Sequence, residues 1–172
     1  MDISNIKAAA TNTTTGLKIG ADDAPVKLVE FINVRCPYCK QWFEESKELL
    51  DQYIAEGRLQ RIIKPFNKEK ESLQRGNVMH RYLDTNLPEK GYAALMQMFI
   101  TQKDWQDLSL EEVARFAEDR LQLAPQANEA LLTDVVTEAN NANIQFVPTL
   151  IINDHIFDEA IEPELLIQYI EE

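Results

Sequence analysis

Residues 26–39 read VKLVEFINVRCPYC, a mostly apolar run that ends in two cysteines separated by two residues. Residues 26–32 are mainly β-branched, leucine and aromatic, which predicts a central strand buried on both faces. Pro37 predicts that a helix begins beside the first cysteine, because the N–H that proline lacks would be unpaired there anyway. An apolar stripe continues this helix to Gly57, a natural cap, and a second strand is expected over 59–66. Strand, helix and strand in this order predict a parallel pair with a right-handed crossover.

The remainder of the chain predicts helices first and strands afterwards. No convincing strand occurs over 67–143, where helices are expected to begin at the capping box of Ser109 and at Pro125. Strand-type sequence returns at 149–152, and a last helix is expected from Pro163. The pattern therefore predicts an α/β fold with an all-helical insertion between the second strand and the later strands.

This order divides the chain into three parts. Residues 1–66 are expected to form the first part of the α/β domain, with 1–20 as a lead-in. Residues 67–143 are expected to form the helical insertion, which is long enough to pack as a small subdomain. Residues 144–172 are expected to complete the α/β domain.

Composition and charge argue against two classes of function. The 172 residues carry a net charge of -12, which disfavours nucleic-acid binding because Lys and Arg are needed to neutralise phosphates. No stretch of about 20 residues is continuously apolar, so no membrane span is predicted. Residues 1–20 lack the basic start and the apolar core of an export signal, so a cytoplasmic location is expected. The alternative is an extracytoplasmic protein from which an export signal has been removed.

Cys36 and Cys39 are interpreted as a redox pair. A structural zinc site needs four ligands, whereas the chain has no third cysteine, and His80 and His155 are interpreted as surface or cap residues. We therefore expect no metal and no cofactor. Helix N-terminal N–H groups favour a thiolate, and Arg35 offers a positive neighbour, so Cys36 is expected to attack a disulfide. Cys39, one turn deeper, is expected to resolve the mixed disulfide.

Two further features attract attention. Glu30 is a carboxylate within an apolar strand, where burial without a partner or a use is costly. In one interpretation it lies beneath the active-site helix and relays a proton to or from Cys39; in the other it points to solvent from an edge strand. Val147-Pro148 precedes the later strand, where the bond is either an ordinary trans bond or a cis bond.

The chain resembles the DsbA-like branch of the thioredoxin superfamily from about Asp23 to its C-terminus. The matching segments are Asp23-Ala24-Pro25-Val26, Val29-Glu30-Phe31, Cys36-Pro37-Tyr38-Cys39 and Val147-Pro148-Thr149-Leu150-Ile151-Ile152-Asn153. The resemblance implies a thioredoxin-like fold with a helical insertion, and a thiol–disulfide oxidoreductase that acts on protein substrates.

The resemblance also implies roles for individual residues. It implies that Pro148 is cis and faces Cys36, and that Glu30 corresponds to the buried acid of the family. The backbone of Val147 is expected to pair with an extended substrate segment. The expected substrate-binding residues are Pro37 and Tyr38, which lie between the two cysteines, and Val147 and Thr149, which flank Pro148.

One position departs from the family pattern. Strongly oxidising members of this branch carry His between the cysteines, where this chain has Tyr38. Tyrosine supplies no cation to the Cys36 thiolate, so the reduced form is less stabilised. Potentials range from about -120 mV for the DsbA type to about -270 mV for thioredoxin, and we expect an intermediate to reducing value. The expected partners are protein dithiols and disulfides and an unidentified redox partner, and a monomer is expected.

Three other functions fit parts of this pattern. Cys-Pro-Tyr-Cys also occurs in glutaredoxins, although those proteins are shorter and usually carry Gly-Gly where this chain has 153–155. A glutathione-dependent reductase is therefore one alternative. A non-catalytic adaptor or chaperone that binds through the insertion is another, against which the intact cysteines argue. The isomerase and kappa-class transferase branch shares the inserted helices but typically has Ser at the position of Cys36 and lacks Cys39.

Overall fold

The computed structural model describes residues 1–172. The five strands are β1 (Leu17–Ile19), β2 (Val26–Ile32), β3 (Leu59–Pro65), β4 (Thr149–Ile152) and β5 (His155–Phe157). The seven helices are α1 (Pro37–Ala55), α2 (Gln74–His80), α3 (Pro88–Ile100), α4 (Gln102–Trp105), α5 (Leu110–Arg115), α6 (Glu129–Asn141) and α7 (Pro163–Glu171). A π-helical turn over Phe116–Arg120 follows α5, and short 3-10 turns lie at Ala8–Ala10 and Glu71–Leu73. None of the helices is both long enough and apolar enough to cross a membrane.

The strands form one sheet in the order β1-β3-β2-β4-β5. β2 and β3 are parallel and are joined through α1, whereas every other neighbouring pair is antiparallel. Asn153 has a φ of 54° in the tight turn between β4 and β5, a left-handed conformation that Asn tolerates better than most residues. The predicted strand–helix–strand unit and the strand expected over 149–152 are confirmed.

Alternate residues of β2 face opposite layers of the molecule. Leu28 packs with Leu50 of α1 and with α7, whereas Val29 and Phe31 pack with α6. Leu28 and Phe31 are completely buried, and each such side chain contributes about 1.5–3 kcal/mol on burial. The sheet therefore lies between α1 and α7 on one face and α6 on the other.

The helices between β3 and β4 share a core with the sheet. One cluster joins Ile32 of β2 and Ile63 of β3 to buried insertion residues: Met79, Leu95, Met98, Trp105 and Val113. The expected α/β fold is confirmed, with its helical insertion between β3, which is the second strand predicted, and β4, which follows Pro148. One helix start was predicted wrongly, since α6 begins at Glu129 and not at Pro125. Asn128, just before α6, donates hydrogen bonds to carbonyls at the end of α2 and beyond it, which holds the preceding segment in an irregular conformation.

All seven residues of β3 are buried, including polar ones that the sequence pattern did not place. Lys64 donates hydrogen bonds to the carboxylate of Glu138 on α6 (2.8 Å), to Asn12 Oδ1 (3.0 Å) and to the carbonyl of Thr15 (2.8 Å). Burial lowers the pKa of Lys64, although Glu138 opposes this. The pair ties the N-terminal segment to α6 and β3.

Candidate active site

Cys36 lies immediately before α1 and occupies its N-cap position, with extended backbone and Pro37 as the first helical residue. Cys39 lies one turn further along and is fully buried, while 5% of Cys36 is exposed. Both cysteines are unpaired, so the structure shows the dithiol form. The helix start predicted from Pro37 therefore leaves Cys36 slightly exposed and Cys39 with no exposure.

The two thiols differ in acidity. A hydrogen bond from Cys39, supported by the backbone N–H groups of Cys39 and Tyr38, lowers the pKa of Cys36 to about 7, against opposing effects of burial and of the Glu159 carboxylate. Burial raises the pKa of Cys39 well above its usual value, and its hydrogen bond to Cys36 raises it further. Because the thiolate is the attacking species, Cys36 is the better nucleophile of the pair near neutral pH.

The loop before β4 faces Cys36. The Val147–Pro148 peptide bond is cis, as the resemblance implied, and Cys36 Sγ lies 3.5 Å from the carbonyl oxygen of Val147. Pro148 is buried, and Val147 is half-buried. The structure thus brings together two segments that are more than 100 residues apart in the sequence.

The other predicted substrate-binding residues differ in accessibility. Pro37 is exposed, and Tyr38 is 57% exposed at the start of α1. Thr149 is fully buried, and its hydroxyl donates to the carbonyl of Phe146 at 2.6 Å. The side chain of Thr149 therefore supports the loop from below and does not line the surface beside Cys36.

Glu30 is buried and has partners that the sequence did not reveal. Its carboxylate receives two hydrogen bonds from Arg61 (2.7 and 2.8 Å) and one from the indole N–H of Trp42 (2.7 Å). Burial disfavours the charge of Arg61, but Glu30 outweighs it and raises the pKa of Arg61 above its usual value. Arginine stays protonated in proteins, so the pair is a fixed ion pair beneath α1. The solvent-facing interpretation of Glu30 is excluded.

Cys39 and Glu30 line one small void beneath α1. Arg61, Trp42 and Phe43 line the same void, which has no room for a water molecule. The backbone N–H of Asn33 donates to Cys39 Sγ at 3.5 Å. The structure therefore places the carboxylate near Cys39 without a direct hydrogen bond between them.

Arg35 and His80 make contacts that the sequence did not reveal, and the interpretation of His80 as a surface residue was wrong. The Arg35 guanidinium donates to the carbonyl of Gln106 at 2.8 Å and lies 3.5 Å from Asp107, so it is engaged with the insertion. His80, which was interpreted as a surface or cap residue, is fully buried. Its Nε2 accepts a hydrogen bond from the Val34 N–H at 3.2 Å, and burial lowers the pKa of His80 to about 3.

The sequence also failed to show how closely the insertion approaches the segment 33–36. A Cβ on Gly76 of α2 would lie 1.8 Å from Asn33 Oδ1, so only glycine fits there. Gln102 of α4 donates to the carbonyls of Val34 and Cys36. A signal existed for Arg61, since a charge in a buried strand calls for a counter-charge in a neighbouring strand. The sequence carries no such signal for Gly76 and Gln102. Their partners, the side-chain amide of Asn33 and the carbonyls of Val34 and Cys36, are far away in the chain. No group of three or more His, Cys, Asp or Glu side chains is placed to hold a metal ion.

Comparison with known proteins agrees with this geometry. Residues 12–172 match the family model described as Thioredoxin. A curated relative, "Probable disulfide bond formation protein D" from Bacillus cereus, is 42% identical over 48 residues, which are 27% of this chain. The match spans only 22% of that relative's length.

Solved structures extend the comparison to the whole chain. A conserved protein of unknown function from Enterococcus faecalis V583 is 58% identical, with a TM-score of 0.98 and coverage of 100% of this chain and 98% of that one. Oxidised BdbD from Bacillus subtilis is 16% identical, with a TM-score of 0.65 and coverage of 94% of this chain and 100% of that one. At that identity the second likeness concerns the fold alone.

Proposed function

Since this chain belongs to the thioredoxin family, we propose that it is a thiol–disulfide oxidoreductase that exchanges disulfides with protein substrates. The observation that carries the proposal is the placement of Cys36 Sγ, at the start of α1 and 3.5 Å from the Val147 carbonyl. The pKa of about 7 at Cys36 supplies a thiolate at neutral pH. No metal or organic cofactor is required by this chemistry.

The first step is attack on the substrate disulfide. The Cys36 thiolate attacks one substrate sulfur, forms a mixed disulfide and expels the other substrate sulfur as a thiolate. The N–H groups of Tyr38 and Cys39 stabilise the charge at Cys36 before attack. Cys36 is therefore the proposed nucleophile.

The second step is resolution by Cys39. Cys39 loses its proton and attacks Cys36, so that the Cys36–Cys39 disulfide forms and the second substrate thiolate leaves. The substrate disulfide gains two electrons and the protein pair loses two. An unidentified dithiol or disulfide partner resets the pair, and the same steps run in reverse when the protein donates its disulfide.

The surface around Cys36 suits an extended polypeptide. We assign substrate contact to the backbone of Val147, which would pair with the substrate segment as an added strand, with Pro148 shaping the loop. Pro37 and Tyr38 are accessible on the other side of Cys36. Thr149 is assigned the indirect role of holding the loop.

Glu30 is the proposed acceptor of the Cys39 proton. It lines the same void as Cys39, and two hydrogen bonds from Arg61 hold its carboxyl group in place there. Because the void holds no water, transfer requires a transient opening beneath α1. The proton path is therefore a slow, gated route in this proposal.

We further propose that the three parts 1–66, 67–143 and 144–172 fold as one unit, because the insertion shares its core with the sheet. In this proposal, the cellular compartment in which the protein works depends on whether the cysteine pair reduces or oxidises its substrates. A reducing pair fits the cytoplasm, and an oxidising pair fits an extracytoplasmic location.

Trapping tests the proposal. A peptide with one internal disulfide is mixed with the wild type, with Cys39→Ala and with Cys36→Ser, and the products are weighed by mass spectrometry. We expect reduction of the peptide by the wild type, a persistent mixed disulfide with Cys39→Ala, and neither with Cys36→Ser. Retained reduction by Cys36→Ser contradicts the proposal. Faster reduction of glutathione mixed disulfides than of the peptide would favour the glutathione-dependent alternative.

A further inference from the structure

The segment 33–36, which leads into the redox pair, is held by side chains rather than by regular secondary structure. At Val34, the N–H donates to His80 Nε2 at 3.2 Å, and the carbonyl accepts from Gln102 Nε2 at 2.8 Å. The structure gives the Val34 carbonyl no backbone donor. The peptide groups of Val34 are thus fixed from both sides by the insertion.

Gln102 reaches the nucleophile itself. The same Nε2 donates to the carbonyl of Cys36 at 3.2 Å, and only 2% of Gln102 is exposed. The amide nitrogen of Gln102 therefore donates to two carbonyls of this segment. The Cys36 carbonyl also accepts from the Lys40 N–H of α1 at 3.2 Å, so Gln102 is a second donor to it, whereas Gln102 is the donor that the Val34 carbonyl has. A buried carbonyl without a partner is unfavourable, so the position of Gln102 restricts the orientation of the peptide group that follows Val34.

The orientation of the peptide groups in this segment affects the stability of the thiolate at Cys36. The Cys36 thiolate depends on a fixed approach to the N–H groups of Tyr38 and Cys39, and carbonyl oxygens that turn towards it would repel its charge. The amide of Gln102 holds two of these oxygens, those of Val34 and Cys36, by hydrogen bonds. It also directs the positive end of its own dipole at them.

We propose that Gln102 is a positioning residue of the redox pair, which fixes the Val34 and Cys36 carbonyls and thereby stabilises the Cys36 thiolate. The inference rests on the proposed oxidoreductase function and adds to it a residue from the helical insertion. It gives the insertion a part in the chemistry, since its α4 helix sets the environment of a cysteine 66 residues earlier in the chain.

The test compares Gln102→Met with Gln97→Met. Methionine fills a similar volume without an N–H donor, and Gln97 is an exposed glutamine of α3 that serves as the matched control. Two quantities are measured: the pKa of Cys36 from thiolate absorbance, and the equilibrium constant of the pair in glutathione buffers. Loss of a hydrogen bond to each carbonyl should change that constant by about three- to tenfold.

The expected result is a raised Cys36 pKa and a shift towards the disulfide in Gln102→Met, with wild-type values in Gln97→Met. If Gln102→Met does not fold, Gln102→Glu is measured instead, and the shift should grow as pH rises and the new carboxyl loses its only donor proton. Wild-type values in a folded Gln102 variant overturn the inference, as does loss of the fold in both variants. A wild type without a reversible disulfide refutes the proposed function instead.

Discussion

Glu30 and Arg61 form a two-pronged ion pair beneath the active-site helix, with both side chains 1% exposed. Glu30→Leu should leave a buried guanidinium without a counter-charge and reduce the free energy of unfolding by about 3–5 kcal/mol. The double variant Glu30→Leu with Arg61→Met should lose clearly less, because no charge is then stranded. Urea unfolding measures both.

A control for this comparison is the exposed pair of Glu111 and Arg115, whose side chains are 84% and 64% exposed. Glu111→Leu should change the free energy of unfolding by at most about 1 kcal/mol, as surface ion pairs do. The interpretation is contradicted if the single and double variants at Glu30 are equally unstable.

Acidity at Cys36 depends first on its neighbour Cys39. The rate of alkylation of Cys36 in the wild type should rise with pH and reach half its maximum near pH 7. Cys39→Ala removes the largest cause of the lowered pKa, so the half-point should move to higher pH. Cys36→Ser serves as the reference, since the buried Cys39 should react slowly throughout. An unchanged half-point in Cys39→Ala would mean that the helix N–H groups alone set the acidity.

His80 should make the protein acid-sensitive. Its pKa is lowered from 6.5 to about 3 by burial, so between these pH values the unfolded chain binds a proton that the folded chain does not. The stability from His80 is therefore fully present above pH 6.5 and is lost as pH falls towards 3, by up to about 1.4 kcal/mol per pH unit.

The variant His80→Gln keeps an acceptor but removes this titration. The difference in free energy of unfolding between the wild type and His80→Gln should grow in favour of the wild type as pH rises from 3 to 6.5. A pH-independent difference for His80→Gln contradicts a neutral buried imidazole.

Tyr38 lies between the two cysteines and is 57% exposed, at the position where the resemblance implies histidine in strongly oxidising members. Tyr38→His should place a cation beside the Cys36 thiolate at mildly acidic pH and stabilise the reduced form. We expect roughly a tenfold change in the equilibrium constant with glutathione, which corresponds to about 30 mV towards a more oxidising potential. Tyr38→Phe is the neutral control. An equal shift in both variants would exclude the charge as its cause.

The sequence predicted those parts of the site that depend on residues close together in the chain. The start of α1 follows from Pro37, and the burial of Glu30 was one of two interpretations of a carboxylate in an apolar strand. A counter-charge in a neighbouring strand could be expected for that carboxylate, but its identity as Arg61 follows only from the register in which β2 and β3 pair. Sequence spacing carries no record of such pairing.

The same limit applies to the insertion. Its helical character follows from the periodicity of 67–143, but His80 and Gln102 contact backbone groups of the segment 33–36. Backbone groups are present at every position and leave no mark in the sequence. The sequence alone therefore does not distinguish His80 and Gln102 from surface polar side chains.

The reduction potential of the Cys36–Cys39 pair tests the central claim most directly. The protein is equilibrated in glutathione buffers of graded ratio, and free thiols are counted by alkylation and mass spectrometry. We predict a reversible two-electron couple between about -120 and -270 mV, nearer the second value because Tyr38 supplies no cation. Failure of the two thiols to form a reversible disulfide at any ratio contradicts the account.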